Sequence, residues 1–174
     1  MRKIERWLGL IDNLSEWSGR IVAPMIAVVM GIVVCEVVLR YFFSAPTYWA
    51  HEGSAMLFGA YFILGGGYVL RHRAHVKMDI LYDRLPLRTR AIVDVATSLI
   101  FFAFCGVMLW YGGEMALRSL RIREYTQSFW APPIYPIKLT IPVGAFLILL
   151  QGSAKFIRDL ITATTGREAT WTPG

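Results

Sequence analysis

Four runs of about twenty apolar residues, parted by short polar clusters, constrain this chain more than any other feature. They fall at about 21–39, 50–70, 91–111 and 137–156. A helix rises ~1.5 Å per residue, so each run is long enough to cross the ~30 Å hydrocarbon core of a bilayer. Composition agrees: 56% of the 174 residues are hydrophobic and 17% charged, where soluble domains carry about 45–50% and about 25%. The expected fold class is an all-α integral membrane protein, with four transmembrane helices plus an N-terminal amphipathic interfacial helix. No remaining segment is long enough for a separate soluble domain.

The N-terminal unit is residues 1–20. Ile4, Trp7, Leu8, Ile11 and Leu14 recur at helical spacing, while Arg2, Lys3, Glu5, Arg6, Asp12 and Asn13 fall largely opposite. The pattern predicts a helix lying in the headgroup region, anchored by Trp7 and Trp17. Packing of that helix on the protein itself is the alternative. No small-x-small cleavage site follows an apolar core of signal length, so the segment does not read as a cleavable signal. The four-helix membrane domain covers 21–158, and 159–174 reads as a polar cytoplasmic tail.

Polar residues inside the spans are few. Glu36 lies about one turn inside the far end of span one, with Arg40 four residues later in the favourable order. The two form a self-neutralised interfacial pair, or one of them reaches a partner subunit, because ionisable groups near membrane depth face protein or water. Pro46 then forces a turn rich in interfacial aromatics, Tyr41, Tyr48 and Trp49. In span two Ala55, Gly59 and Gly66 share a face that invites a close helix neighbour. Asp94 is expected in the first turn of span three, where a carboxylate suits the helix dipole. Pro142 predicts a kink or a frayed first turn in span four, and Gln151 and Ser153 are free to bond a neighbouring helix.

The formal net charge is +6. Of the 18 Lys and Arg, thirteen fall on the side holding both termini and the loop between spans two and three; Arg40, Arg118, Arg121, Arg123 and Lys138 fall on the other. The positive-inside rule then places both termini in the cytoplasm. Basic residues lying between apolar spans, not along one soluble face, argue against nucleic acid. Cys35 and Cys105 sit inside spans as small hydrophobes, with no disulfide framework. His72 and His75 share a basic loop and His51 lies across the membrane, so no pair matches in depth for a haem. No catalytic triad, phosphate loop or zinc spacing is present. The chain reads as neither an enzyme nor a cofactor carrier.

The block from Arg40 to Pro86 resembles the small transmembrane (Q-type) subunit of tripartite ATP-independent periplasmic (TRAP) transporters. Arg40-Tyr41, Pro46, Trp49 and Glu52 match the family's turn after span one. Arg71, His75, Asp79, Leu85 and Pro86 match its connection after span two, and Pro142 and Gly144 its Pro-x-Gly. The family often has two consecutive acids where this chain has His51-Glu52.

The resemblance implies a bacterial inner (cytoplasmic) membrane protein bound to a large TRAP membrane subunit that holds the substrate and Na⁺ sites. A periplasmic substrate-binding protein would deliver an organic acid, and this chain would brace the stationary scaffold and meet membrane lipids. Arg40, Trp49 and Glu52 would clamp the periplasmic turn, with Glu36 beside them. Gly59 and Gly66 would offer a packing face. Arg71, His75 and Asp79 would shape the cytoplasmic connection or touch headgroups. Two other classes compete: a haem-binding anchor of a respiratory enzyme, which would show a Soret band, and a small self-sufficient exporter, which would transport when reconstituted alone. The chain shows no internal repeat of the kind many secondary transporters carry.

Overall fold

The computed structural model describes residues 2–72 and 87–165. They form four helices: α1 (Arg2–Phe42), α2 (Ala50–Arg71), α3 (Leu87–Ile122) and α4 (Tyr135–Thr165). Each contains a stretch long and apolar enough to cross a membrane: Trp7–Phe42, Ala50–Arg71, Ile92–Ile122 and Tyr135–Thr162. Among the described residues there is no strand, only an isolated antiparallel bridge between Tyr125 and Pro133.

The helices stand in a row more than a closed bundle. α1 packs chiefly on α2, α2 on α4 and α4 on α3, with a smaller contact between α1 and α4. The centre of the row is built of small or polar residues. Ala50, Ala60, Ala116, Ala145, Ala154, Ser15, Ser119 and Gln151 are buried, while Phe62, Leu99, Ile100 and Trp110 are more than two-thirds exposed. In lipid the apolar side chain gains nothing by turning inward, so packing goes to residues that let backbones approach.

Glycines bring α2 and α4 close together. A Cβ at Gly67 would lie 3.5 Å from the Leu147 backbone, and one at Gly144 only 2.6 Å from the Ile63 carbonyl oxygen. Gly66 packs against the Ile148 side chain of α4. The glycine face expected from spacing is therefore split: Gly66 is a packing residue, whereas Gly59 faces open space and Ala55 is exposed.

The N-terminal expectation requires correction. α1 runs unbroken from Arg2 to Phe42, so no separate interfacial helix precedes span one. Its first part packs on the protein, and it does so with its polar side. Ser15, Gly19 and Val22 face inward, while Trp7, Leu10, Leu14, Trp17 and Ile21 face out. The amphipathic pattern is inside-out because the outer medium is apolar.

α3 likewise continues past Tyr111 to Ile122, where it closes in a Schellman turn. The Arg123 amide bonds the Leu120 carbonyl at 3.3 Å and the Glu124 amide bonds the Ser119 carbonyl at 3.0 Å, with Arg123 itself at φ 46°. Such a left-handed C′ position usually belongs to glycine. Because α3 begins at Leu87, Asp94 is not in its first turn. It pairs instead with Lys155 of α4 at 3.4 Å. α4 begins before Pro142 and runs through it as one helix.

Gly144→Leu is expected to push α2 off α4 and destabilise the protein by about 1–3 kcal/mol, whereas Gly59→Leu is near neutral. Thermal unfolding of the two variants in the same detergent checks the contrast.

Candidate functional site

Polar side chains gather at the two ends of the row, and those two clusters are the only places where its chemistry is concentrated among the described residues. The first lies at the end carrying the termini. Asp12, Ser15 and Glu16 fall three and four residues apart, so α1 presents them on one face. The Asp12 carboxylate accepts from Arg158 at 2.5 Å and from the Gln151 amide at 3.0 Å, both on α4. The Ser15 hydroxyl donates to Gln151 Oε1 at 3.0 Å. Arg71, at the end of α2, donates through Nη1 to the Asp12 carbonyl at 2.9 Å and to Glu16 at 2.7 Å. Glu16 also faces Arg20 at 3.3 Å and His72 at 3.7 Å. Lys155, between Asp94 and Asp159, extends the cluster to α3. All four helices are thus tied together at this end. Gln151 and Ser15 are each 1% exposed, so neither can exchange its partners for water.

The second cluster joins the α1–α2 turn to the segment 123–134. Arg40 pairs with Glu36 at 2.6 Å. The other Glu36 oxygen accepts from the Thr47 amide at 3.0 Å and from the Thr47 hydroxyl, so the carboxylate fastens the turn back onto α1. The Ser128 hydroxyl donates to Glu52 at 2.7 Å. Beside it Trp49 tilts against Trp130, with ring centroids 6.4 Å apart, and Tyr48 meets Phe129 edge-on at 5.6 Å. The far side of the 123–134 segment is pinned by Lys138, whose ammonium lies 2.5 Å from Glu124. The Lys138 hydrogen bond, foremost, holds the Glu124 carboxyl below its usual pKa.

Between the clusters the helices carry no Asp, Glu, Lys or Arg over 21–35, 53–70, 95–113 and 139–154. No group of three or more His, Cys, Asp or Glu able to hold a metal occurs among the described residues.

A family model matches the stretch that holds the second cluster, the apolar middle of α2, α3 and α4, and the α2 and α4 residues of the first cluster. Residues 29–162 fit the DctQ component of the tripartite ATP-independent periplasmic transporters. The chain belongs to that family. It is a small TRAP subunit, embedded in the membrane with several passes. The chain is 25% identical over 158 residues to the ectoine TRAP transporter small permease protein TeaB of Halomonas elongata, covering 88% of this chain and 79% of the relative. It is 26% identical over 102 residues to the sialic acid TRAP transporter permease protein SiaT of Haemophilus influenzae, covering 59% of this chain and 16% of the relative. With the isethionate TRAP transporter permease protein DctMQ of Oleidesulfovibrio alaskensis it shares 25% over 167 residues, covering 91% and 26%. The chain therefore spans only about a sixth to a quarter of the length of those two long permeases.

Arg40, Trp49 and Glu52, expected to act together at one turn, are distributed over three contacts. Arg40 goes to Glu36, Trp49 to Trp130, and Glu52 to Ser128. Arg71 joins the opposite end. His75 and Asp79 lie outside the described residues, as do Arg73, Lys77, Leu85 and Pro86 and the tail from Gly166. Sequence reasoning missed Asp12, Ser15, Glu16, Ser128 and Arg158. A buried Gln151 in an otherwise apolar span was the available signal, since it demands a polar partner on a neighbouring helix. Ser153 bonds its own helix, at the Leu149 carbonyl.

Asp12→Ala is expected to cost about 3 kcal/mol by leaving Arg158 and the Gln151 amide nitrogen without their acceptor, while Arg20→Gln, at an exposed pair, changes stability by less than about 0.5 kcal/mol. Denaturation in mild detergent measures both. Because the folded pKa of Glu124 is lowered, its contribution is present above the ordinary glutamate pKa and is lost as pH falls through the folded value. Tryptophan emission followed on acidification is expected to report loosening of the Trp130 segment there, and Glu124→Gln to remove that dependence.

Proposed function

We propose that this chain scaffolds a large TRAP permease subunit for Na⁺-coupled uptake of an organic acid delivered by a periplasmic binding protein. The observation that carries the reading is the uncharged middle of the row. A secondary transporter binds its ions and anionic substrate near the bilayer midplane with polar or ionisable groups, and this row offers no charged group there. Substrate and Na⁺ sites then belong to another chain. The length of the DctMQ and SiaT relatives supports this, because in them the matched stretch is a minor part of one long permease. Relatives named for sialic acid and isethionate support an acidic substrate.

On this reading the chain sits in the bacterial inner membrane with both termini in the cytoplasm, as the distribution of Lys and Arg favours. The Glu36–Thr47 and Glu52–Ser128 contacts then lie on the periplasmic side and hold the turn and the 123–134 segment as one surface. The Asp12–Arg158 cluster fixes the cytoplasmic end. The chain performs no chemistry; it supplies a rigid, wide body to a partner that moves.

The test pairs co-purification with uptake. Glu52→Gln is expected to weaken retention of the large subunit or to lower uptake of the labelled organic acid several-fold in cells carrying all three components. Unchanged assembly and uptake would remove the clamp role. Uptake that persists with this gene deleted would remove the scaffold reading itself.

A further inference from the structure

An apolar groove of about 760 Å³ opens on one face of the row and is lined by residues of all four helices. Its volume falls within the ~300–1,000 Å³ of small-ligand sites. Phe62 and Gly65 of α2, Phe104 and Met108 of α3 and Ile148 of α4 contribute apolar surface, and the one charged residue among those lining it is Arg20 of α1. A side chain added at Gly65 would meet nothing within 4 Å, so the groove is open at that point.

Arg20 stands at a defined depth. Trp17, one turn earlier on α1, is 66% exposed and is of the residue type that settles at headgroup level. From Arg20 the groove continues inward, toward Phe62 and Met108. The Arg20 side chain is itself 76% exposed and touches Glu16 only through Nε, at 3.3 Å. Glu16 gives its other oxygen to Arg71 at 2.7 Å, so two fixed cations share one carboxylate. The terminal nitrogens of Arg20 carry no ion pair among the described residues. A planar fork of unused donors at headgroup depth, in a triad that keeps one net positive charge, matches a phosphate.

An anionic head at the membrane surface with an apolar chain running inward from it describes a phospholipid. We propose that the groove binds an acyl chain of an anionic phospholipid whose phosphate is held by Arg20. A partner's apolar helix would fill the same volume but would press hydrocarbon against the guanidinium and leave its donors unpaired. This site does not depend on what the chain helps to transport.

The full-length chain, with any membrane partner it retains on purification, is reconstituted in nanodiscs of phosphatidylethanolamine and phosphatidylglycerol. A fraction of the phosphatidylglycerol carries a diazirine in one acyl chain, and cross-linked positions are read by mass spectrometry. Labelling is expected to concentrate on residues 61–69 and 101–108 over Val33 and Val34, which face outward on α1. Arg20→Gln is expected to lower groove labelling about fivefold, the equivalent of ~1 kcal/mol for one basic residue near an anionic surface, and to leave Val33 and Val34 unchanged. Gly65→Leu should abolish groove labelling by filling the space. Both positions are open enough for the variants to fold, which unchanged helical circular dichroism confirms. Labelling equal to that at Val33 and indifferent to Arg20→Gln would reduce the groove to ordinary annular lipid and overturn the proposal. Cross-links from the groove to a partner helix in place of lipid would overturn it too, and so would loss of the label on adding inorganic phosphate, which would make free phosphate the ligand.

Discussion

Lipid removes the hydrophobic drive between helices, and the rest of this structure follows from that loss. A Leu or Phe pointing at acyl chains is as well solvated as one pointing at a neighbouring helix, so nothing pulls large apolar residues into the centre. What remains are van der Waals contact between backbones and hydrogen bonds whose partners water cannot replace. The protein uses the first in the middle and the second at the ends. Gly67 and Gly144 bring α2 and α4 together, and alanines fill the interior. Asp12, Ser15 and Gln151 then fasten α1 to α4.

The division also sets the depth of the protein. From Trp17 to Tyr41, α1 covers ~36 Å, and α2 covers ~33 Å from Ala50 to Arg71. Both lengths fit a hydrocarbon core of ~30 Å with its interfaces. The two clusters stand at those limits, where ionic groups can meet headgroups or water. At one limit the turn and the 123–134 segment are fastened to α1 and α2 by short contacts, Glu36–Thr47 and Glu52–Ser128; at the other, Arg71 reaches back to α1. Neither cluster can slide inward without burying charge, so the row is held in register by both.

The fold was largely legible in the sequence because the span signal is strong: twenty apolar residues in a row have few other uses. The Glu36–Arg40 pair was legible for the same reason that helix pairs generally are, through a spacing of four. What escaped was long-range pairing. Asp12 and Arg158 are 146 positions apart, and Ser128 and Glu52 are 76 apart; no local periodicity encodes either. The N-terminal segment shows a subtler failure. Its apolar stripe faces lipid, as that of an interfacial helix would, but the segment does not lie apart at the surface: it runs unbroken into span one. The partner on its polar side, Gln151, belongs to another helix and decided the matter.

A row with one concave face and two clamped ends has a mechanical consequence. Its stiffness resides at the ends, through charged and hydrogen-bonded contacts, and along α4, which packs closely on both α2 and α3. The outer helices α1 and α3 are held mainly by one neighbour each and present large apolar side chains on their outer surfaces. Such faces gain by meeting either lipid or another apolar helix, with little cost in exchanging the one for the other. On the proposed reading, the moving partner can be braced along a helix face while the polar ends keep that face at a fixed depth.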